Sequence, residues 1–181
     1  MGWRAGAALA RAGGRRHPAW ENAFSVVDPQ INASGIHVWP FNPSFPIDVR
    51  FFVAGGTHNI RINRHDYYEI MFVWQGRTEL MIQDRCFEIG PGDLVVIGSG
   101  LYHGIIGRPP VKLVTLYFEP ELVSRPPAEG EDVEYLRPFL SQSAGAAHVV
   151  PPESGISEQV LDLMNVFTPN CRPRPCVNVC L

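Results

Sequence analysis

The sequence predicts a mainly β fold, a sandwich or barrel followed by two C-terminal helices, and three observations predict it. Gly and Pro contribute 17 residues each to a chain of 181, so nearly every stretch long enough for a helix is interrupted. Between residues 47 and 119, short runs rich in β-branched and aromatic residues alternate with turn signals. Helical spacing of apolar residues occurs only after residue 120.

Seven strands are predicted in the β region. Each is bounded by a turn signal, of which the Gly-Pro-Gly-Asp run at residues 90–93 is the densest. The predicted strands are Ile47–Val53, Asn59–Asn63, Tyr67–Gln75, Thr78–Gln83, Cys86–Ile89, Leu94–Ile97 and Val111–Glu119. Short strands at this spacing are typical of a sandwich or a barrel.

Two helices are predicted after the β region, over Asp132–Leu140 and Ile156–Phe167. Apolar residues of the second helix recur at intervals of three and four, which places them on one stripe. The stripe consists of Ile156, Val160, Leu163, Met164 and Phe167. It either packs against the barrel or contacts a second copy of the chain, and the residues alone leave both alternatives open.

The flanking segments have the composition of irregular chain. We expect a disordered or over-extended N-terminus at residues 1–22, an irregular arm at 23–46 and an unstructured tail at 168–181. No window reaches the roughly 20 apolar residues of a transmembrane helix, and the N-terminus lacks a secretory signal. With four cysteines that lack zinc-site spacing, this predicts a cytoplasmic location and no membrane contact.

The charge distribution argues against nucleic acid as a direct partner. Six of the 15 basic residues lie outside residues 21–170, so that span carries nine basic residues against all 18 acids, a net charge of −9. Phosphate recognition requires clustered Lys and Arg. We therefore expect no direct nucleic-acid contact from this chain.

The candidate site chemistry comes from two histidines and a glutamate. Strand alternation places Asn63 and His65 on one face, which Glu69 shares if the strand continues without a bulge. A Gly-rich bend at residues 98–100 returns His103 toward the sheet. Two imidazoles and one carboxylate inside a barrel match the two-His-one-carboxylate metal site.

These spacings resemble the two cupin motifs. Asn63-x-His65-x3-Glu69-x6-Gly76 resembles the first motif, with Asn63 in place of its first histidine. Gly92-x5-Gly98-x-Gly100-x2-His103 resembles the second, with Gly98 in place of its proline. Three of the four usual metal ligands of the resembled motifs remain.

Residues 65–76 and 87–97 are similar to the sensory domain of AraC/XylS-type transcriptional regulators, and the resemblance runs from Phe45 to Phe167. It implies a cupin-type jelly-roll barrel at 47–120 and a helical dimerisation region at 121–167, whose apolar stripe would form a homodimer. It also implies a small-molecule effector, often a sugar or an aromatic acid, bound in the barrel. It does not imply catalysis.

The resemblance places the effector at the barrel mouth. The expected ligand contacts are Asn63, His65, Glu69, His103, Trp74 and Tyr117. No cofactor is expected because Asn63 is a weak metal ligand, although His65, Glu69 and His103 would suffice for a divalent metal.

The preferred interpretation is the effector-sensing and dimerisation domain of an AraC-type transcriptional regulator. Only fourteen residues follow Phe167, too few for a helix-turn-helix region of its own, so DNA binding is expected only in full-length relatives. The alternative is a metal-dependent cupin enzyme, an oxygenase or isomerase, in which the same three residues would hold the metal.

Overall fold

A computed structural model describes residues 20–26, 29–55, 62–107, 109–123, 137–140 and 148–167. Within these ranges the chain forms eight strands and two α-helices. The strands are β1 Ile47–Ala54, β2 Tyr68–Gln75, β3 Thr78–Ile82, β4 Arg85–Ile89, β5 Leu94–Ile97, β6 His103–Ile105, β7 Val111–Phe118 and β8 Val149–Val150. The helices are α1 Arg137–Leu140 and α2 Ile156–Phe167, and 3-10 turns lie at Pro120–Leu122 and Pro152–Ser154.

The strands form two antiparallel sheets. The larger sheet has the order β1-β7-β2-β5-β8, and the smaller has the order β4-β3-β6. The central strand β2 pairs with both β7 and β5, so that Glu69 lies opposite Tyr117 and Ile97. In the smaller sheet β6 pairs with β3, which sets His103 opposite Ile82. The predicted mainly β chain with a cupin-type jelly-roll barrel and C-terminal helices is confirmed.

The two sheets share one apolar core. Leu80 and Ile82 of the smaller sheet meet Val95 and Ile97 of the larger one, and none of the four is more than 1% exposed. Strand alternation explains why these residues meet, because every second side chain of a strand points to the same face. The core therefore reaches the positions of Glu69 and His103, which Ile97 and Ile82 face across paired strands.

A second apolar cluster covers the outer face of the larger sheet. Phe72 and Val114 pack there against Leu161 and Met164 of α2, together with Trp20 from the N-terminal segment. Helix α2 thus lies outside the barrel, where its buried side completes the packing of the sheet.

The apolar stripe of α2 is divided between this packing and solvent. Met164 is 1% exposed and packs on the sheet, which corrects its assignment to a subunit contact. Val160 and Phe167 also pack partly against the sheet, whereas Ile156 and Leu163 are 48% and 62% exposed. The buried side of the helix lies about a quarter turn from the centre of the predicted stripe.

Most predicted elements are found, and the exceptions are short or fall outside the described residues. Strands β6 and β8 were not predicted, because three and two residues are too few to show alternation. The predicted strand Asn59–Asn63 falls largely outside the described residues, as do residues 1–19 and 168–181. Of Asp132–Leu140, the described part is Arg137–Leu140, and it is helical. Among the described residues, no helix has the length and apolar character needed to cross a membrane.

Candidate functional site

Two histidines and a glutamate meet at one end of the barrel. His65 lies just before β2, Glu69 is the second residue of β2, and His103 begins β6. Nε2 of His65 lies 2.8 Å from Oε2 of Glu69, and Nε2 of His103 lies 3.2 Å from the same oxygen. All three residues are buried, with exposed fractions of 0, 4 and 6%. We call these three residues the His-Glu-His cluster.

Backbone hydrogen bonds hold the two histidines in position. The N–H of Asn63 donates to the carbonyl of His103 at 3.0 Å, and the N–H of His103 donates to the carbonyl of Asn63 at 2.9 Å. The N–H of Gly100 donates to the carbonyl of His65 at 2.7 Å. Gly100 has a φ of 80°, a backbone conformation that favours glycine. The Gly-rich bend therefore brings His103 to His65, as the sequence predicted.

The second ring nitrogen of each histidine faces a backbone carbonyl. Nδ1 of His65 lies 2.8 Å from the oxygen of Tyr67, and Nδ1 of His103 lies 3.0 Å from the oxygen of Leu101. A carbonyl oxygen only accepts hydrogen bonds, so both Nδ1 atoms carry a proton. Each Nε2 therefore directs either a lone pair or a second proton at Glu69.

Electrostatics favour an ionised carboxylate in this cluster. Burial raises the pKa of Glu69, but hydrogen bonds from His103 and His65 outweigh it and hold the pKa well below its usual range. Burial lowers the pKa of His103, but the hydrogen bond and charge of Glu69 outweigh it and raise the pKa above the ordinary histidine value. The negative charge of Glu69 is thus balanced by a proton on an imidazole or by a bound cation.

The donor set of the His-Glu-His cluster fits a divalent metal. The three ligand atoms lie within 4.8 Å of one another. Ligands bound at about 2.1 Å in a metal site lie roughly 3 Å apart, which is close to the two nitrogen–oxygen separations of 2.8 and 3.2 Å in the cluster. Backbone acceptors on both Nδ1 atoms fix the tautomer that a metal requires. His65, Glu69 and His103 would hold the metal, which could act as a Lewis acid or anchor a ligand.

Aromatic rings cover the cluster. The ring of Tyr67 stacks on His65 with a centroid distance of 3.9 Å and an interplanar angle of 5°. Tyr117 stands 5.0 Å from Tyr67, and burial raises the pKa of both hydroxyls, so both stay neutral. The Tyr67 hydroxyl lies 2.7 Å from Nδ1 of His37. His37 belongs to the irregular segment before β1, which thus reaches over the barrel mouth.

Residues 29–46 are the part of the predicted arm at 23–46 that leads to the barrel mouth, and from here on we call these residues the arm. Polar and backbone hydrogen bonds hold the arm to the barrel. The indole Nε1–H of Trp39 donates to Oδ2 of Asp48 at 3.2 Å, and the same oxygen accepts from Arg50. The guanidinium of Arg50 also lies over the Trp39 ring, 5.0 Å from its centroid. The N–H of His37 donates to the carbonyl of Arg64 at 2.8 Å. Trp39 and His37 are therefore fixed points of the arm.

A cavity of about 280 Å³ lies between the arm and the barrel. The arm lines it with Ile36, His37, Val38, Trp39 and Phe41, and the barrel side contributes Asp66, Tyr67, Glu119, Pro120 and Glu121. The cavity reaches Tyr67 but stops short of the His-Glu-His cluster. A molecule in this cavity would touch both the arm and the barrel.

A family model describes the chain over the same region. The model of the AraC-like ligand binding domain matches residues 48–167. The chain belongs to the AraC-like ligand-binding domain family. No curated protein is significantly similar to the chain.

Several solved structures are similar to parts of this AraC-like domain. One is the plu4264 protein from Photorhabdus luminescens, at 24% identity and a TM-score of 0.38, covering 42% of this chain and 65% of that one. A cupin 2 conserved barrel domain protein from Salinispora arenicola has 21% identity and a TM-score of 0.38, covering 49% and 75%. The DMSP lyase DddQ from Ruegeria pomeroyi has 22% identity and a TM-score of 0.38, covering 48% and 46%.

The AraC-like domain brings together five of the six residues expected to contact ligand. Asn63, His65, Glu69, His103 and Tyr117 share the polar end of the barrel. The sixth, Trp74, lies on the opposite face of β2, where its ring is 5.6 Å from that of Trp20. The reason is strand alternation, because Trp74 has the parity of Phe72 and not of Glu69.

Sequence reasoning missed His37 and Tyr67. His37 received no role because its hydrogen-bond partner is 30 residues away in the sequence. Tyr67 shares the parity of His65 and Glu69, and that alternation was the available signal for it.

Proposed function

We propose that this chain is the effector-sensing domain of an AraC-type regulator of transcription and that it binds a small molecule between the arm and the barrel. The observation that carries the proposal is the cavity of about 280 Å³, which is lined by both parts in a chain of the AraC-like ligand-binding family. Ligand sites are typically concave, largely apolar and equipped with a few polar groups.

The cavity can couple ligand binding to the position of the arm. A ligand that touches Trp39 on the arm and Glu119 on the barrel gains both contacts only while the arm is closed. Such a ligand shifts the population toward the closed arrangement in proportion to its differential affinity. The arm also reaches α2, since the rings of Phe45 and Phe167 are 6.5 Å apart. Closure of the arm is therefore linked to the surface of α2.

We propose that α2 forms a homodimer contact through its exposed apolar side chains. Ile156, Leu163 and Val166 are 48, 62 and 67% exposed. The resemblance to sensor domains that dimerise through these helices supports a second copy as the partner. Through this contact, arm closure in one copy would affect the geometry of the pair.

A thermal-shift experiment tests the sensor function. The panel comprises sugars, aromatic acids and amines, each with wild-type protein and two variants. A true effector at 100 times its Kd should stabilise the wild type by about 2.7 kcal/mol. Phe41→Ala removes a half-buried ring from the cavity and should abolish this stabilisation. Phe87→Ala removes a half-buried ring from β4, outside the cavity, and should preserve it. Absence of stabilisation by every class would contradict the proposal.

A metal-dependent enzyme is the second candidate, and the geometry of the His-Glu-His cluster favours it. Elemental analysis of the purified chain, wild type and Glu69→Gln, measures the metal. Glu79→Gln, at an exposed glutamate of β3, serves as the matched control. One equivalent of metal lost only in Glu69→Gln, together with metal-dependent turnover of a substrate, would replace the sensor proposal by the enzyme. Metal without turnover would leave it as a structural part of the sensor.

A further inference from the structure

We propose that the cavity between the arm and the barrel selects a small organic cation, an amine or quaternary ammonium with apolar substituents. This inference rests on the proposed function, because it names the chemical class of the effector.

Aromatic rings form the walls of the cavity. Trp39 and Phe41 come from the arm and Tyr67 from the barrel side. The rings of Phe41 and Tyr67 are 5.4 Å apart at an interplanar angle of 80°, so the two walls stand nearly at right angles. Aromatic faces attract cations through their quadrupole, and aromatic cages are known to bind quaternary ammonium groups.

The charged side chains that line the cavity are all acidic, and the Arg50 guanidinium, which lies over the Trp39 ring, is paired with Asp48. Asp66, Glu119 and Glu121 line the cavity, and neither Lys nor Arg does. Within the described part of the chain, none of these three carboxylates forms a salt bridge. Three carboxylates around one cavity create a negative potential that concentrates cations and repels anions.

The one histidine in the lining does not change this charge. Burial is the main cause that lowers the pKa of His37, to about 4. The imidazole is therefore neutral at pH 7, with Nδ1 engaged by the Tyr67 hydroxyl. An aromatic acid would meet three carboxylates without a compensating cation, and a sugar would leave all three unneutralised. An organic cation would be attracted both by the aromatic faces and by the negative charge of the carboxylates.

The volume limits the size of the cation. The cavity holds about 280 Å³, and liquid-like matter occupies about 30 Å³ per water-sized group. Roughly nine non-hydrogen atoms therefore fit. Choline is within this limit, and 3,3-dimethylbutan-1-ol is its neutral isostere, in which carbon replaces the charged nitrogen. The pair isolates the effect of charge at constant shape.

Isothermal titration calorimetry on the full chain tests the inference with four probes: choline, 3,3-dimethylbutan-1-ol, L-arabinose and benzoate. We expect choline to bind at least tenfold more tightly than its neutral isostere, a difference of about 1.4 kcal/mol. The preference should shrink as ionic strength rises, because the carboxylates lie near solvent. Benzoate should not bind.

Matched variants assign the effect to the cavity. Glu119→Gln combined with Glu121→Gln should reduce the choline preference at least fivefold, whereas Glu88→Gln, at an exposed glutamate of β4, should leave it unchanged. A Glu119 and Glu121 double variant that keeps the preference, or wild-type protein that binds no choline, overturns the inference. Tighter binding of arabinose or benzoate also overturns it, yet supports the proposed sensor function. The sensor function itself would be contradicted only if no compound class in the thermal-shift panel stabilised the protein.

Discussion

The two ends of the barrel interior have opposite chemistry. At one end, Leu80 and Val95 belong to a buried apolar core. At the other end, His65, Glu69 and His103 are equally buried but polar. Apolar side chains stabilise the fold without needing a partner, whereas each buried polar group requires one. We infer from this difference that burial of the apolar end stabilises the fold, and that this stability offsets the cost of burying functional polar groups at the other end.

The largest effect is expected at the apolar end. Leu80→Ala removes a side chain that is 0% exposed and should lower the free energy of unfolding by about 2–5 kcal/mol, because it leaves a cavity. Urea denaturation measures the loss, which should be the same at pH 5 and pH 7.5. Leu163→Ala, at a position 62% exposed, is the control and should change stability by less than about 0.5 kcal/mol. Equal losses in the two variants would contradict the assignment of the core.

The next effect is a pH dependence at the polar end. Burial lowers the pKa of His37 from 6.5 to about 4 in the folded chain. Between these values the unfolded chain binds a proton that the folded chain does not, so stability falls as pH decreases from 6.5 toward 4. The expected loss is on the order of 3 kcal/mol, at about 1.4 kcal/mol for each pH unit of difference.

Urea denaturation at a series of pH values measures this loss. His37→Gln keeps an acceptor for the Tyr67 hydroxyl but cannot titrate, so its stability should depend less on pH in this window. His148 also has a pKa lowered mainly by burial, so His148→Gln is the matched control. If the pH dependence of stability persists in His37→Gln and disappears in His148→Gln, it comes from His148 and the prediction for His37 is wrong.

The sequence predicts single strands and helices better than it predicts the surroundings of the polar end. Strand Leu94–Ile97 and helix Ile156–Phe167 have the predicted bounds, since local periodicity and flanking Gly and Pro determine where such elements begin and end. His65, Glu69 and His103 were also predictable, because strand parity and one glycine bend bring them together. These signals act over a few residues.

The missed features depend on distant contacts. His37 meets Tyr67 from a segment without periodicity, so neither its burial nor its role follows from neighbouring residues. Trp74 is a ligand candidate by residue type alone, and its parity places it on the other face of β2. Met164 lies on the border of the apolar stripe, and only the packing of α2 decides which side of the helix is buried.

A smaller effect should sharpen the contrast between the rigid core and the arm. Trp39→Phe keeps an aromatic ring but removes the Nε1–H that donates to Asp48. The expected loss is about 1 kcal/mol of arm closure, the net value of one hydrogen bond. Hydrogen exchange of the amides in residues 30–42 measures it and should accelerate about fivefold, while amides of β2 keep their protection. Uniform acceleration in both regions would mean that the arm and the core open as one unit.

The smallest effect on folding is expected at the exposed side of α2. Leu163→Asp should change the stability of the monomer by less than about 0.5 kcal/mol, because Leu163 is 62% exposed. If this side joins a second copy, the same variant places a charge in an apolar contact and should be monomeric at concentrations where the wild type is dimeric. Sedimentation over a range of concentrations measures the assembly.

Met164→Asp is the matched comparison on the buried side of the same helix. Met164 is 1% exposed, so an unpaired charge there should destabilise the chain by several kcal/mol at every concentration. The two variants thus separate assembly from folding. Leu163→Asp should change only the assembly, whereas Met164→Asp should change the stability of the fold. A wild-type chain that stays monomeric at high concentration would rule out the proposed dimer, and a Leu163→Asp variant that unfolds would show that this side of α2 packs within its own chain.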